Sequence, residues 1–510
     1  MIRDLQGSGE HDCEADFIVI GAGTVGLPSS VLLARGQARV VCLESGGERQ
    51  AQELHPLNEV VQHGASYGGA QHGRFRCLGG TSTRWGGALI PFQQADLEQG
   101  GWPLSCSDLD PYVAEVEALF GLEHGPYHDP DFPLSLGTAH VQRLAKWPPF
   151  RRRNVVALVG DEARSSQRLD VWLNATATDI DASGGRVQVV ARSAHGDRIR
   201  VTAPRLIVAA GAIETTRLAW LIDRRHGGAV SAASPALGRY FSDHLSVAVA
   251  EIEPIRRSAL NRIIGFRFGT GARMRNIRFE PAAQSRDGLP PYFAHVGFEL
   301  ARAGGFDALR ELLRCVQARR LPSPGLAADL CLGAPWLARA VWWRYAHRRL
   351  LFPAHASLVV HMVMEQVPRA DNRITLDSER TDAFGLPLAR IDWRVGDDDI
   401  AHVHGASARF EATWQRSGLG AYGRWRSFAH ERLSDSLRGA EGIFHPTGST
   451  RMGHDAASGV VDRDLRLFAL PQVQLLSTAA LPTGGGANPT MMLLLLAMRC
   501  VAQHRAAGDA

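Results

Sequence analysis

The run "DFIVIGAGTVGLPSSVLLARG" at residues 16–36 constrains this chain more than any other stretch. A short β-branched apolar run leads into Gly21, Gly23 and Gly26, and a helical pattern follows at once. Gly21 allows a tight turn, Gly23 lets the backbone approach a pyrophosphate beside Thr24 and Val25, and Gly26 lets helix and strand pack closely. A second apolar run, "ARVVCLES", ends in Glu44 and Ser45, and an acid at that spacing suits a ribose hydroxyl. The spacing predicts a βαβ unit that binds a dinucleotide, without choosing between NAD and FAD.

A second glycine-rich stretch, "RCLGGTSTRWGGALIPF" at 76–92, gathers Gly79, Gly80, Thr81, Ser82, Gly86 and Gly87 around Trp85. Each glycine costs ordering entropy, so such a run is expected where backbone lies flat against a ligand. A tight loop without a ligand is the alternative.

At 510 residues the chain calls for two or more cores, or one large core with insertions. Its 45% hydrophobic and 21% charged residues are ordinary for a globular protein, and a net charge of +4 gives no reason to expect nucleic-acid binding. Lys146 is the only lysine, an arginine bias that fits a GC-rich genome. The seven cysteines are scattered without a C-x-x-C pair, which argues against a disulfide framework or a cysteine zinc site and fits a reducing cytoplasm. No H-E-x-x-H or other metal spacing occurs and no G-x-S-x-G elbow, so neither a metal site nor a hydrolase is expected. The opening "MIRDLQGSGEHDCEADFIVIG" has charges where a signal peptide needs apolar residues, and no apolar run reaches the roughly 20 residues of a membrane span. A cytoplasmic protein is expected.

Strand-like segments recur at 171–209 and 356–394, and "MMLLLLAMRCVAQH" reads as a helix buried on most sides. Before it, "NPT" reads as a helix start, with Asn488 near the cap, Pro489 in the first turn and Thr490 offering an N–H group. Glycine- and proline-rich joins near 100 and 148 mark passages between domains. Residues 301–353 read as two amphipathic helices around "LPSPG", with nine arginines against three acids and the cluster "APWLARAVWWRYAHRRLLFP". They form either a packed helical hairpin or a basic, tryptophan-bearing surface that lies on an anionic membrane or lids the site.

Late in the chain, "FHPTGSTRMGHD" at 444–455 places a histidine in a loop of small residues. With it, the dinucleotide unit and the 76–92 loop, four further segments follow in order: "IVAAGAIETTRLAW" at 207–220, "LGRYFSDHL" at 237–245, "EQVPRADNRITL" at 365–376 and "LLSTAALPTGGGANPTMMLLLLAM" at 475–498. Together they resemble the glucose–methanol–choline (GMC) flavin oxidoreductases, in the branch of pyranose oxidases and fructose or glucoside dehydrogenases. The resemblance implies an α/β (α+β overall) fold: a Rossmann-type FAD-binding domain from segments 14–100, 151–246 and 440–505, and an inserted substrate domain of antiparallel sheet plus helices from 101–150 and 247–439. It places FAD against the two glycine segments and against Ala210, Gly211, Ala479, Ala480, Asn488, Pro489 and Thr490. Relatives with covalent FAD carry a histidine where this chain has Arg84, so FAD is expected to bind noncovalently.

In that branch the histidine and asparagine corresponding to His445 and Asn488 face the flavin. Alcohol oxidation needs the hydroxyl proton to leave as hydride moves to flavin N5, and His445 is of the type that titrates near neutrality. Asn488 can donate to the substrate oxygen without titrating. Arg451 and Met452 are expected to be structural; His244, His361 and His454 are left without a chemical role. The expected substrate is a small-molecule alcohol, a sugar, glycoside or polyol, with oxygen, a quinone or a redox protein taking the electrons. A hydrophobic or membrane-associated alcohol, a lyase in which FAD is structural, and a flavin-bearing binding subunit stay open.

Overall fold

The computed structural model describes residues 1–50, 53–269, 273–300, 304–317, 321–353, 355–486 and 488–508. The parts of the insertion at 301–303 and 318–320, read from sequence as helical, lie outside the described residues.

The fully buried run Phe17–Ile20 and its counterpart Val40–Leu43 pair in parallel, with the helix Gly26–Arg35 between them. They form the middle of a six-stranded, all-parallel sheet in the order Ile2–Asp4, Leu169–Leu173, Val40–Leu43, Phe17–Ile20, Arg205–Val208, Val473–Leu475. Strands buried on both faces read as continuous apolar runs because helices cover both sides. One cover is Thr490–Gly508, whose residues Met491 to Met498 are all buried and which packs on Gly26–Arg35.

A second sheet holds Glu10–Glu14, Arg198–Ala203, Val187–Arg192 and Thr176–Asp181. Sequence reading found no strand before residue 16, since "EHDCE" lacks an apolar face. The backbone ladder with Arg198–Ala203 supplies the pairing, and Glu10 and Asp12 lie opposite Arg198 and Arg200 in register and form exposed ion pairs with them.

The other half centres on a seven-stranded antiparallel sheet containing Met274–Pro281, Tyr292–Glu299, Ser357–Glu365 and His244–Pro254, with His140–Trp147 added beside Met274–Pro281. Two large apolar clusters result, one around each sheet. Trp102, Leu104, Leu109, Val116, Phe120 and Leu122, expected with the substrate part, join the core of the parallel sheet. Their helix Val113–Phe120 lies against Thr490–Gly508.

Among the described residues the insertion forms three helices where two were expected: Gly305–Gln317, Pro324–Leu332 and Ala334–His347. Gly333 caps the second through its N–H to Asp329, and Pro335 opens the third. Trp343 is buried, whereas Trp342 is 61% exposed and Tyr345 79%. Lys146 is buried on the strand His140–Trp147, its ammonium on Glu117 at 2.5 Å and on the carbonyls of Glu123 and Gly125.

Candidate active site

One cavity of about 810 Å³ runs from the glycine turn to His445 and Asn488. Gly21, Glu44, Ala175, Ala209 and Leu476 line it, each within two residues of the carboxyl end of a parallel strand. Ligands of open α/β sheets bind at that edge.

The near end is shaped for a dinucleotide. A Cβ on Gly26 would lie 1.9 Å from the Gly21 carbonyl oxygen, so the close helix–strand approach requires glycine there. Gly80 has φ +52°, and a Cβ on it would come within 2.8 Å of the Gly23 Cα, so the two glycine segments meet backbone to backbone. The Gly79 N–H donates to the Ala22 carbonyl at 2.9 Å and joins them. Glu44 is buried: Oε2 accepts from the Ala22 N–H at 2.8 Å and Oε1 from the Gly46 N–H at 2.9 Å, and burial pushes its carboxyl up. Ser45 Oγ accepts from Arg76, which also pairs with Glu214 at 2.7 Å. Burial alone would raise the Glu214 carboxyl, but Arg76, Arg217 and Arg74 bring it to about 2.

Of the residues expected to touch a cofactor, Gly21, Gly23, Thr24, Val25, Glu44, Ser45, Gly80, Thr81, Trp85, Gly86, Gly87, Ala210, Gly211, Asn488 and Thr490 line the cavity. Gly26, Gly79, Ser82, Ala479, Ala480 and Pro489 stand behind the lining. Ser82 Oγ bonds the Gly79 carbonyl and accepts from the Val155 N–H, while the carbonyls of Ala479 and Ala480 accept from Thr450 and Met452. Met452 is buried, and the Arg451 guanidinium stacks over Tyr240.

At the far end His445 Nε2 lies 3.2 Å from Asn488 Nδ2. Arg278 Nη2 donates to Asn488 Oδ1 at 2.5 Å. Arginine has no acceptor, so the asparagine oxygen must face it and the amide NH₂ must face the histidine. His445 Nε2 therefore carries the lone pair. Burial first, then the neighbouring His244 and Arg278, hold its imidazole well below the ordinary value, so the near-neutral titration expected from residue type is displaced into the acid range.

The loop that presents His445 hangs from Asp243, which sequence reading passed over. Its carboxylate accepts from the N–H groups of His244, Phe444 and His445 and from the Tyr67 hydroxyl, and burial lifts it to about 6. His244, left without a role, stands edge-on to His445 with ring centroids 5.4 Å apart. Its Nε2 donates to the Gly485 carbonyl at 2.7 Å, and burial takes it to about 4. Asp243, His244 and His445 bring atoms of metal-ligand type within 4.8 Å of one another, but the Asp243 oxygens and His244 Nε2 are engaged in holding these loops. Glu365 accepts from the Gly485 N–H at 2.8 Å, and burial raises its carboxyl to about 8. Trp147, Phe266, Phe293 and Val363 wall this end, with Ser246, Asn276 and His295 among them. Asp243 lies in "LGRYFSDHL", one of the segments that carry the family resemblance, whereas Arg278 stands in none of them.

Residues 368–497 match the model of a family described as GMC oxidoreductase. The chain is 24% identical to 2-methyl-1,2-propanediol dehydrogenase of Mycolicibacterium austroafricanum, over 95% of this chain and 94% of that protein. It is 30% identical to 6'''-hydroxyparomomycin C oxidase of Streptomyces lividus over 30% of this chain and 27% of that one, and 24% identical to the fructose dehydrogenase large subunit of Gluconobacter japonicus over 59% and 47%. The crystal structure of pyridoxine 4-oxidase from Mesorbium loti shares the fold, with a TM-score of 0.56 over 96% of this chain and 99% of that one at 14% identity. Residues 368–497 thus resemble the C-terminal domain of the GMC oxidoreductases, a family of generally flavin-dependent oxidoreductases that act on alcohols.

Proposed function

We propose that the protein oxidises an alcohol to a carbonyl compound with noncovalently bound FAD, and that His445 is the general base. The observation that carries this reading is the continuity of a dinucleotide-shaped cradle with a neutral imidazole whose Nε2 accepts from the Asn488 amide, so that a hydroxyl entering between them would meet both an acceptor for its proton and a donor for its oxygen. Gly23, Gly80, Glu44 and Ser45 would hold the adenosine and pyrophosphate part, and Thr490, at the start of a long helix, would face the flavin. FAD, when bound, supplies the acceptor for the carbinol hydride. His445 Nε2 takes the hydroxyl proton, and the Asn488 amide steadies the oxygen as charge grows on it. Arg84 stands on the cavity wall where covalent relatives have histidine, and its Nε donates to Gln50, which supports noncovalent binding.

The sugar- and diol-named relatives favour a sugar, glycoside or polyol as substrate. The second reading, a more apolar alcohol, rests on the walls formed by Trp147, Phe266, Phe293 and Val363. Anaerobic mixing with sugars, polyols, glycosides and apolar alcohols decides between them by which class bleaches the flavin, and admitting air then tests oxygen as the acceptor. Turnover without bleaching would favour the lyase; no bleaching by any alcohol would favour the binding subunit.

We also propose that the helix Ala334–His347 meets an anionic membrane surface. Val341, Trp342 and Tyr345 are exposed on it near Arg339, and Leu332 beside it is 83% exposed. Among the described residues no helix is long and apolar enough to cross a membrane. All seven cysteines are free thiols, in keeping with a reducing cytoplasm.

A further inference from the structure

Among the described residues Arg278 is a buried cation with no carboxylate bonded to it. It sits on the strand Met274–Pro281, 3% exposed, in the wall of the cavity and with its guanidinium 4.1 Å from the ring centre of Phe293. Nη2 bonds Asn488, while Nε and Nη1 are buried without a partner. Glu280, two residues along the strand, pairs with Arg143 at 2.9 Å through Oε2 and acts on Arg278 only through space. Among the described residues no carboxylate is within ion-pairing distance of Arg278.

Burial draws the guanidinium down to about 10, which leaves it charged at neutral pH. An unpaired buried charge is costly, and orienting the Asn488 amide needs only one neutral donor. A full guanidinium at this place therefore does more than orient. Asn488 takes one of the two Nη2 hydrogens, so one edge of the guanidinium, Nη2 with either Nε or Nη1, keeps a pair of N–H groups that matches the two oxygens of a carboxylate.

We propose that the alcohol taken by this site carries a carboxylate close to its carbinol carbon, and that Arg278 is the residue that binds it. The substrate class is a hydroxy acid with an apolar or aromatic body, since Phe293, Phe266 and Trp147 line the same end. Arg278 and His445 flank one side-chain amide, so the acid and the hydroxyl would be neighbours on the substrate. In the reaction the carbinol C–H leaves as hydride to the bound flavin and the O–H proton goes to His445. The carbon becomes a carbonyl, and the carboxylate is unchanged. This inference rests on the alcohol-oxidation reading for its chemistry, but the binding it requires can be measured without turnover.

The test is calorimetric titration of the FAD-loaded protein with benzoate and with benzamide, which have similar shape and differ in charge. Benzoate is expected to bind at least about tenfold more tightly, the scale of a charge-assisted bond. Arg278→Met should abolish the preference and Arg278→Lys should keep part of it. Should the Met variant fail to fold, the wild-type pair and the Lys variant still decide. Equal binding of the two probes by wild type, or a full preference in Arg278→Met, overturns the proposal; the first result is also the one expected if Arg278 serves only the reduced flavin. Mandelate bleaching the flavin faster than mandelamide would extend the result to turnover. Failure of every alcohol to bleach would count against the oxidation reading and leave the binding comparison to judge Arg278.

Discussion

His445 was visible as a candidate because "FHPTGSTRMGHD" is one of the segments that carry the resemblance to the GMC oxidoreductases, but its protonation was not visible. That depends on Arg278, 210 residues from Asn488 in sequence, and on His244 and Asp243, about 200 residues from His445. A single sequence does not show which distant segments converge. The consequence is a direction for the pH profile. A base must be deprotonated to act, and the folded value lies well below 6.5, so flavin reduction should be flat through neutrality and fall only in acid. His445→Ala should keep FAD, remove that acid limb and slow reduction about 10²–10⁴-fold, as read by stopped-flow absorbance. Asn488→Ala should slow reduction yet keep the limb. Wild-type reduction by His445→Ala would make the histidine structural.

At the scale of elements, regular periodicity was legible and polar or broken periodicity was not. The βαβ unit, the strands at 171–209 and the final helix follow from apolar runs. Glu10–Glu14 escaped notice because none of its side chains is buried to leave an apolar pattern, and the insertion gained a helix because Gly333 and Pro335 interrupt its pattern. The contact between the glycine segments supports one prediction. Gly80→Ala must force a Cβ into the Gly23 backbone from a left-handed conformation, so the variant should purify with much less FAD, measured as the 450 nm to 280 nm absorbance ratio. Full occupancy would mean that the contact does not shape the cradle. The insertion supports another. Vesicle co-sedimentation should require acidic lipid and weaken with salt, because screening acts beyond a Debye length of roughly 8 Å at physiological ionic strength. Trp342→Ala should weaken binding, and Trp343→Ala should instead affect packing, since Trp343 faces inward. Equal binding to neutral vesicles, or none, would assign the surface to another purpose.

For the whole molecule, length called for two or more cores or one large core with insertions, and among the described residues there are two large ones that meet around a shared cavity. Which stretch joins which core was less legible: the 102–122 segment reads as ordinary amphipathic chain, and its attachment is settled by the distant helix Thr490–Gly508. A cofactor placed across that cavity would touch both halves. Removing FAD should therefore lower the unfolding temperature in a concentration-dependent way, with FAD at a hundred times its Kd restoring about 2.7 kcal/mol. An unfolding curve indifferent to FAD would refute this. The buried Lys146 has a practical counterpart. With one lysine in the sequence, held by Glu117 and two carbonyls, the folded protein offers amine-reactive labels and crosslinkers almost nothing beyond an α-amine. A second label appearing on the chain would then report that the strand His140–Trp147 has come away from its neighbours, which makes a common conjugation chemistry into a built-in sensor of unfolding.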